Sequence, residues 1–140
     1  MSIEENKALA IRLTQTTGQE AVTQLRELLS PDFVWHIPGP PPRTLNREQY
    51  IQGVEMGAQA LSDQSVTIED VIAEGEKVVL RVTIHGTHTG QFMGVAPTGK
   101  QVAFTNVFIR RIVDGKIVEE WQSPDALSLL QQLGAFPPRS

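Results

Sequence analysis

The sequence predicts an α+β domain, with helices packed on one face of a curved antiparallel sheet. Three observations carry this. Helix start signals cluster in the first half of the chain. Runs rich in β-branched residues fill the second half. Asp114–Gly115, between two such runs, is the strongest short hairpin signal available. A length of 140 residues suits one domain, taken as residues 1–140. With 40% apolar and 20% charged residues, the composition is that of a globular chain rather than a disordered one. Twelve Lys plus Arg against sixteen Asp plus Glu leave a net charge of −4, which argues against a nucleic-acid partner. The chain has no cysteine, so thiol catalysis, disulfides and Cys-based zinc sites are excluded. No apolar run approaches the roughly 18 residues of a membrane span. The opening MSIEENKALA is acidic and lacks a basic region before an apolar block. Neither a membrane partner nor a signal peptide is therefore expected, and a cytoplasmic location is the default.

Three helices are marked near the N-terminus. Ser2 with Glu5 and Thr17 with Glu20 are capping-box patterns, and Asn46 with Gln49 resembles one. The second helix carries Val22, Leu25, Leu28 and Leu29 at helical spacing, the third Tyr50, Val54, Gly57, Ala58 and Leu61. Each has an oily stripe that something must cover. Between them lies a short strand, Asp32–Pro38, running into the stiff loop Gly39–Arg43. Val66–Ala73 and Lys77–Thr87 read as strands around a turn at Gly75. Thr89–Lys100 is a Gly- and Pro-containing loop. Gln101–Val113 and Lys116–Ser123 flank the Asp114–Gly115 turn. A last helix, Ala126–Leu133, ends at Gly134 ahead of Pro137 and Pro138.

The hairpin fixes which side chains share a face. Counting outward from Asp114–Gly115 pairs Ile112 with Ile117, Arg110 with Glu119 and Phe108 with Trp121. It continues to Asn106 with Ser123 and Phe104 with Asp125. Cross-strand partners share a face and side chains alternate along a strand. Val102, Phe104, Asn106, Phe108, Trp121 and Asp125 are thus expected on one side, with Arg110–Glu119 nearer the turn. Ala103, Thr105, Val107, Ile109, Val118 and Gln122 fall on the other. The count holds without a bulge; one inserted residue swaps the faces beyond it.

If the first face lines a concave pocket, Asp125 is desolvated, its carboxyl is pushed towards neutrality, and it can exchange a proton at working pH. Asn106 could orient it or hold a developing oxyanion. Phe104, Phe108, Trp121 and Tyr50 would form the apolar wall. The same residues admit plainer readings. Asp125 directly precedes ALSLLQQL and can cap that helix, as can Ser123 with Pro124 following. Asn106 can be a satisfied buried amide, the aromatics plain core. Among the histidines, His36 lies on the first strand and can face a ligand or be structural. His85 and His88 are three apart, on opposite faces of a regular strand. No HxH or HExxH pattern is present, so no metal is expected.

The segments Gly86–Lys100 (GTHTGQFMGVAPTGK), Arg111–Trp121 (RIVDGKIVEEW) and Asp125 with Leu129–Gly134 (LLQQLG) resemble SnoaL-like polyketide cyclases of the nuclear transport factor 2-like superfamily. The early helices and FVWHIPG fit the same pattern. The resemblance implies a cone-shaped α+β barrel in which a curved antiparallel sheet and the N-terminal helices enclose a pocket. It implies a homodimer through the sheet's outer face. It also implies a cyclase using neither cofactor nor metal, with Asp125 matching the acid/base residue of an intramolecular aldol ring closure. His36 would line the pocket, and the ligand would be a small apolar or aromatic carbonyl compound. The fold also hosts isomerases, epoxide hydrolases and non-catalytic ligand binders. An epoxide hydrolase of this type needs an Asp–Arg–Asp set, for which Asp70 opposite Arg81 is the available pair.

Overall fold

A computed structural model describes residues 2–136. Four helices pack with a six-stranded sheet: α1 (Ile3–Gln15), α2 (Gly18–Leu28), β1 (Leu29–Ile37), β2 (Arg43–Asn46), α3 (Arg47–Ala60), β3 (Leu61–Glu74), β4 (Lys77–His88), β5 (Gln101–Val113), β6 (Lys116–Gln122) and α4 (Ala126–Gln132). The sheet order is β2-β1-β6-β5-β4-β3. The sheet is open, since β2 and β3 are its two edges. It is also mixed rather than wholly antiparallel, because β1 runs parallel to β6. That pair joins the first half of the chain to the last hairpin. Strand β2 was not expected; it extends the Pro-rich loop into a short edge beside β1.

The caps explain where the helices start. In α1, Ser2 Oγ accepts from the Glu5 amide at 3.1 Å and Glu5 accepts from the Ser2 amide at 3.1 Å. In α3, Asn46 and Gln49 exchange the same two bonds at 2.9 and 2.8 Å. Thr17 does not cap α2. Its hydroxyl instead donates to the Gln64 carbonyl at 3.3 Å, tying the start of α2 to β3. The β5–β6 turn has positive φ at both Asp114 (49°) and Gly115 (76°), as a two-residue primed turn requires. Gly134, at φ 83°, ends the α4 segment; Pro137 and Pro138 lie outside the described residues.

Helices α1, α2 and α3 lie over the inner face of the sheet. The larger apolar cluster joins Leu13, Leu25, Phe33, Tyr50 and Ile51 to Leu80, Val82 and Ile117. A smaller one joins Leu61 and Val102 to Leu129 and Leu133, with Phe92 and Phe104 against it. The loop carrying Phe92 is pinned by Gly90, whose amide donates to the Ala60 carbonyl at 3.0 Å. The backbones approach so closely there that a Cβ on Gly90 would lie 2.2 Å from the Gln59 carbonyl oxygen. Among the described residues, no helix is long and apolar enough to cross a membrane.

Candidate active site

Residue pairing in the last hairpin decides what faces inward. Ile112 pairs with Ile117 as expected, but the next pairs are Arg111 with Glu119, Arg110 with Glu120, Ile109 with Trp121 and Phe108 with Gln122. Val118 is therefore an extra residue, a β-bulge on β6. Every side chain of β6 beyond it changes face. Strand β5 is unaffected, so Phe104, Asn106, Phe108 and Arg110 stay inside, as expected. Glu120 and Gln122 turn inward; Glu119 and Trp121 turn outward.

Several placements expected from the sequence are corrected by this geometry. Trp121 is not in the pocket wall. It stacks on His36 with ring centroids 4.6 Å apart, and the Lys77 ammonium lies 5.2 Å from its ring. His36, beside Trp121 in the parallel pair, also lies on the outer face, with Nε2 2.7 Å from Glu119 Oε2. The Arg110–Glu119 and Phe104–Asp125 pairings do not form, because the bulge shifts one and β6 ends before the other. Asp125 caps α4 instead: its Oδ1 accepts from the Ser128 amide at 3.0 Å, and its own amide donates to the Thr105 carbonyl at 2.9 Å. Its side chain is not among those lining the cavity. The Asp70–Arg81 pair forms as counted, 2.6 Å apart and half-exposed on the outer face. His85 is exposed; His88 is buried, with Nδ1 accepting from the Thr98 amide at 3.1 Å.

Between the two apolar clusters lies a cavity of about 420 Å³. Phe104, Phe108, Tyr50, Trp35, Phe92 and Val54 are part of its apolar wall. A hollow of about 280 Å³ beside it shares Trp35, Gln122 and Pro124. Sequence reasoning found Phe104, Asn106, Phe108 and Tyr50 for this wall. It missed Trp35, Gln122 and the buried Glu120 behind them.

One chain of polar side chains crosses the wall. Asn106 Nδ2 donates to Gln122 Oε1 at 3.2 Å. Gln122 Nε2 donates to Glu120 Oε2 at 3.0 Å. Arg110 Nε donates to Glu120 Oε1 at 2.6 Å, and its Nη1 reaches the Thr14 hydroxyl and the Ala10 carbonyl of α1. Arg110 and Glu120 are only 4% and 1% exposed, so this is a fully desolvated ion pair. Burial works against the Arg110 charge, but the Glu120 carboxylate and the Tyr50 hydroxyl outweigh it and shift its pKa upward. Burial, reinforced by the Glu120 charge, pushes the Tyr50 hydroxyl well above its ordinary range. Tyr50 therefore stays a neutral hydroxyl. Two lining residues carry buried polar atoms with no partner among the described residues: Asn106 Oδ1 and Trp35 Nε1. No group of three His, Asp or Glu among the described residues is placed to hold a metal ion.

The chain matches the SnoaL-like polyketide cyclase family over residues 8–133. It is 30% identical to the aklanonic acid methyl ester cyclase DauD of Streptomyces sp. (strain C5), over 86% of this chain and 73% of that protein. It is likewise 30% identical to the nogalonic acid methyl ester cyclase of Streptomyces nogalater, over 66% of this chain and 78% of that one. Among solved structures it resembles AclR, a candidate hydroxylase from Streptomyces galilaeus, with a TM-score of 0.90, 32% identity and coverage of 99% and 87%. It also resembles TsrD from Streptomyces laurentii, with a TM-score of 0.82, 25% identity and coverage of 97% and 99%. The cavity under three helices and the match across nearly the whole chain agree: this protein belongs to the SnoaL-like polyketide cyclase family.

Proposed function

We propose that the chain is a cofactor-free cyclase that closes a ring on a small, mostly apolar carbonyl compound held in this cavity. One observation carries the reading: an apolar chamber of about 420 Å³ with a single braced amide pair, Asn106–Gln122, in its wall. That volume lies in the roughly 300–1,000 Å³ range of small-molecule sites. The chemistry balances without a co-reactant. A carbon flanked by carbonyls loses a proton to water. Its electron pair forms a carbon–carbon bond to a second carbonyl of the same molecule, and that oxygen, now an alkoxide, takes up a proton. Negative charge gathers on oxygen at each step. The amides of Asn106 and Gln122 each keep a second N–H beyond the one used in the polar chain, and these steady that charge. Asp125 serves as the cap of α4.

Aklanonic acid methyl ester, named for the relative's reaction, is the first substrate to offer. Ring closure gives a product of unchanged mass and new retention time; a hydroxylation would add the mass of one oxygen. Asn106→Leu lowers kcat/KM by roughly 10²-fold, the scale of losing an oxyanion donor. Asp125→Asn, which keeps the cap, turns over like the parent. A collapse of turnover in a folded Asp125→Asn variant would assign the proton step to that carboxylate after all.

A second reading is capture without conversion. Among the described lining residues, Tyr50 and Arg110 are the only titratable ones, so the wall itself offers no general base. Saturable binding with no product from any offered carbonyl compound would establish it.

A further inference from the structure

Helices and strands make up most of the cavity wall, each held by its own backbone ladder. Two irregular stretches of the wall are tied down as well. At the α1–α2 junction the Thr16 amide and hydroxyl donate to the Leu13 and Arg12 carbonyls, and the Thr17 hydroxyl reaches Gln64. Around Pro124 the Ser123 and Asp125 amides donate to the Val107 and Thr105 carbonyls of β5. A third irregular stretch, between β4 and β5, is built differently. Among the described residues, the only hydrogen bonds of 91–97 are the two that Phe92 and Val95 exchange, at 3.1 and 2.8 Å. They close a turn with positive φ at Met93 (47°) and Gly94 (79°), so this tip is braced against itself. Its hold on the body is the packing of Phe92 and Val95 on Leu61, Val102, Leu129 and Leu133. Phe92 lines the cavity while its neighbour Met93 is 60% exposed, so here a thin layer of chain divides inside from outside.

Both feet of the tip are pinned. The Thr89 and Gly90 amides share the Ala60 carbonyl, each at 3.0 Å. At the other foot the His88 amide donates to the Lys100 carbonyl and the Gly99 amide to the His88 carbonyl, each at 2.8 Å. The imidazole of His88 adds a latch. It is fully buried, and its Nδ1 accepts from the Thr98 amide at 3.1 Å and lies 3.0 Å from the Thr98 hydroxyl. A nitrogen that accepts from an N–H carries no proton of its own, so the ring proton sits on Nε2 and the hydroxyl also donates to Nδ1. The Thr98 oxygen in turn accepts from the Lys100 amide at 3.2 Å. His88 thus grips the chain at the residue where the untied tip begins. A segment with few buried contacts and no backbone bonds to its surroundings opens at a small fraction of the cost of global unfolding.

We propose that residues 91–97 form a flap that swings open as a unit to admit the occupant of the cavity, and that His88, acting through Thr98, is the positioning residue that holds it shut. The proposal rests on the reading above only in taking the cavity as a ligand site, and the flap itself is tested without a ligand.

Relaxation dispersion of the backbone amides reads the motion. Residues 91–97 should share one exchange process that Thr89 and Gly90 do not show. His88→Leu removes both latch bonds at similar size and should raise the open population roughly tenfold or more, the scale of two lost hydrogen bonds. His88→Asn, whose Oδ1 can accept in place of Nδ1, should restore the parent profile. Thr98→Val, at an exposed position, loses only the hydroxyl and should fall between them. Stopped-flow fluorescence with Nile red, a neutral apolar dye, reads the gate. A latch acts on opening whether the cavity is full or empty. His88→Leu should therefore speed dye association and dissociation by the same factor and leave the affinity in place; a merely structural role would change the affinity. Flat dispersion over 91–97 in both the parent and His88→Leu overturns the flap, and a His88→Leu profile equal to the parent's overturns the latch. If the dye binds but neither rate changes in His88→Leu, the gate fails while the ligand-site reading stands. If the dye binds neither the parent nor any variant, both fall together.

Discussion

Replacing Glu120 by Gln tests the buried pair on which the cavity wall is built. The substitution keeps size and shape but removes the negative charge. Arg110 then remains 4% exposed with no negative charge beside it, its neutral acceptors including the Thr14 hydroxyl, the Ala10 carbonyl and the amide oxygen that the substitution brings. Breaking one side of such a pair costs about 3–5 kcal/mol, because a charge is left desolvated. Against a total stability of roughly 5–15 kcal/mol this is a large fraction. For a chain of this size it lowers Tm by roughly 6–20 °C, at about 2–4 °C per kcal/mol. Urea unfolding followed by circular dichroism reads the change. The outer face supplies the control: Asp70 and Arg81 also meet at 2.6 Å, but their side chains are 54% and 52% exposed. Asp70→Asn should cost less than about 1 kcal/mol, because water screens the pair. The double variant Arg110→Met with Glu120→Leu should recover most of the loss, since apolar packing can replace a buried ion pair. The reasoning is refuted if Glu120→Gln costs no more than Asp70→Asn.

Two further outcomes follow from the outer face. Burial works to raise the Glu119 carboxyl, but the hydrogen bonds from His36 and Arg111 outweigh it and hold its pKa below the usual carboxylate range. A depressed carboxylate stabilises the fold above its unfolded pKa, and that stability is lost as pH falls through the lower, folded value. Glu119→Gln should therefore flatten the acid side of the stability–pH curve and leave its slope unchanged near neutrality; an unchanged acid limb by urea titration would count against the ion network. The second outcome concerns self-association. The half-exposed stripe of Val107 and Ile109, with Ala103 and Thr105, is where we expect a second copy of the chain. Sedimentation equilibrium should give about twice the 15.4 kDa chain mass, and Val107→Glu should shift it to the monomer; a parent chain that is monomeric at every concentration rules this out.

Much of the fold was legible because the relevant signals are local. Ser2–Glu5 and Asn46–Gln49 cap as their spacing says, and Asp114–Gly115 turns where expected. Asp70 meets Arg81 because Gly75–Glu76 is a two-residue turn and no count beyond it was disturbed before that pair. The β1–β6 pairing was not legible: it joins segments more than eighty positions apart and has no turn to announce it. Nor does Thr17 betray in sequence that its hydroxyl goes to Gln64 instead of its own helix. Asp125 carried two compatible roles in the sequence, and the end of β6 at Gln122 decides for the cap.

The site itself turned on one residue. Val118 is as good a strand former as its neighbours, and nothing in its identity marks it as the extra one. The charges around it do. Without a bulge, Arg110 would face Glu119, while Arg111 would face Val118 and Glu120 would face Ile109. With Val118 set aside, Arg110 meets Glu120 and Arg111 meets Glu119, so both arginines and both glutamates are paired across the strands. The two pairs are unequal, and this gives the register its consequence. One pair is sealed under α1, where a lone charge is intolerable; the other is partly open to water and shared with His36. The sealed pair then sets the sense of Gln122 and, through it, of Asn106. Charge matching over two adjacent residues therefore decides which amide oxygen of the cavity wall is left without a partner among the described residues, a link that face counting alone could not supply.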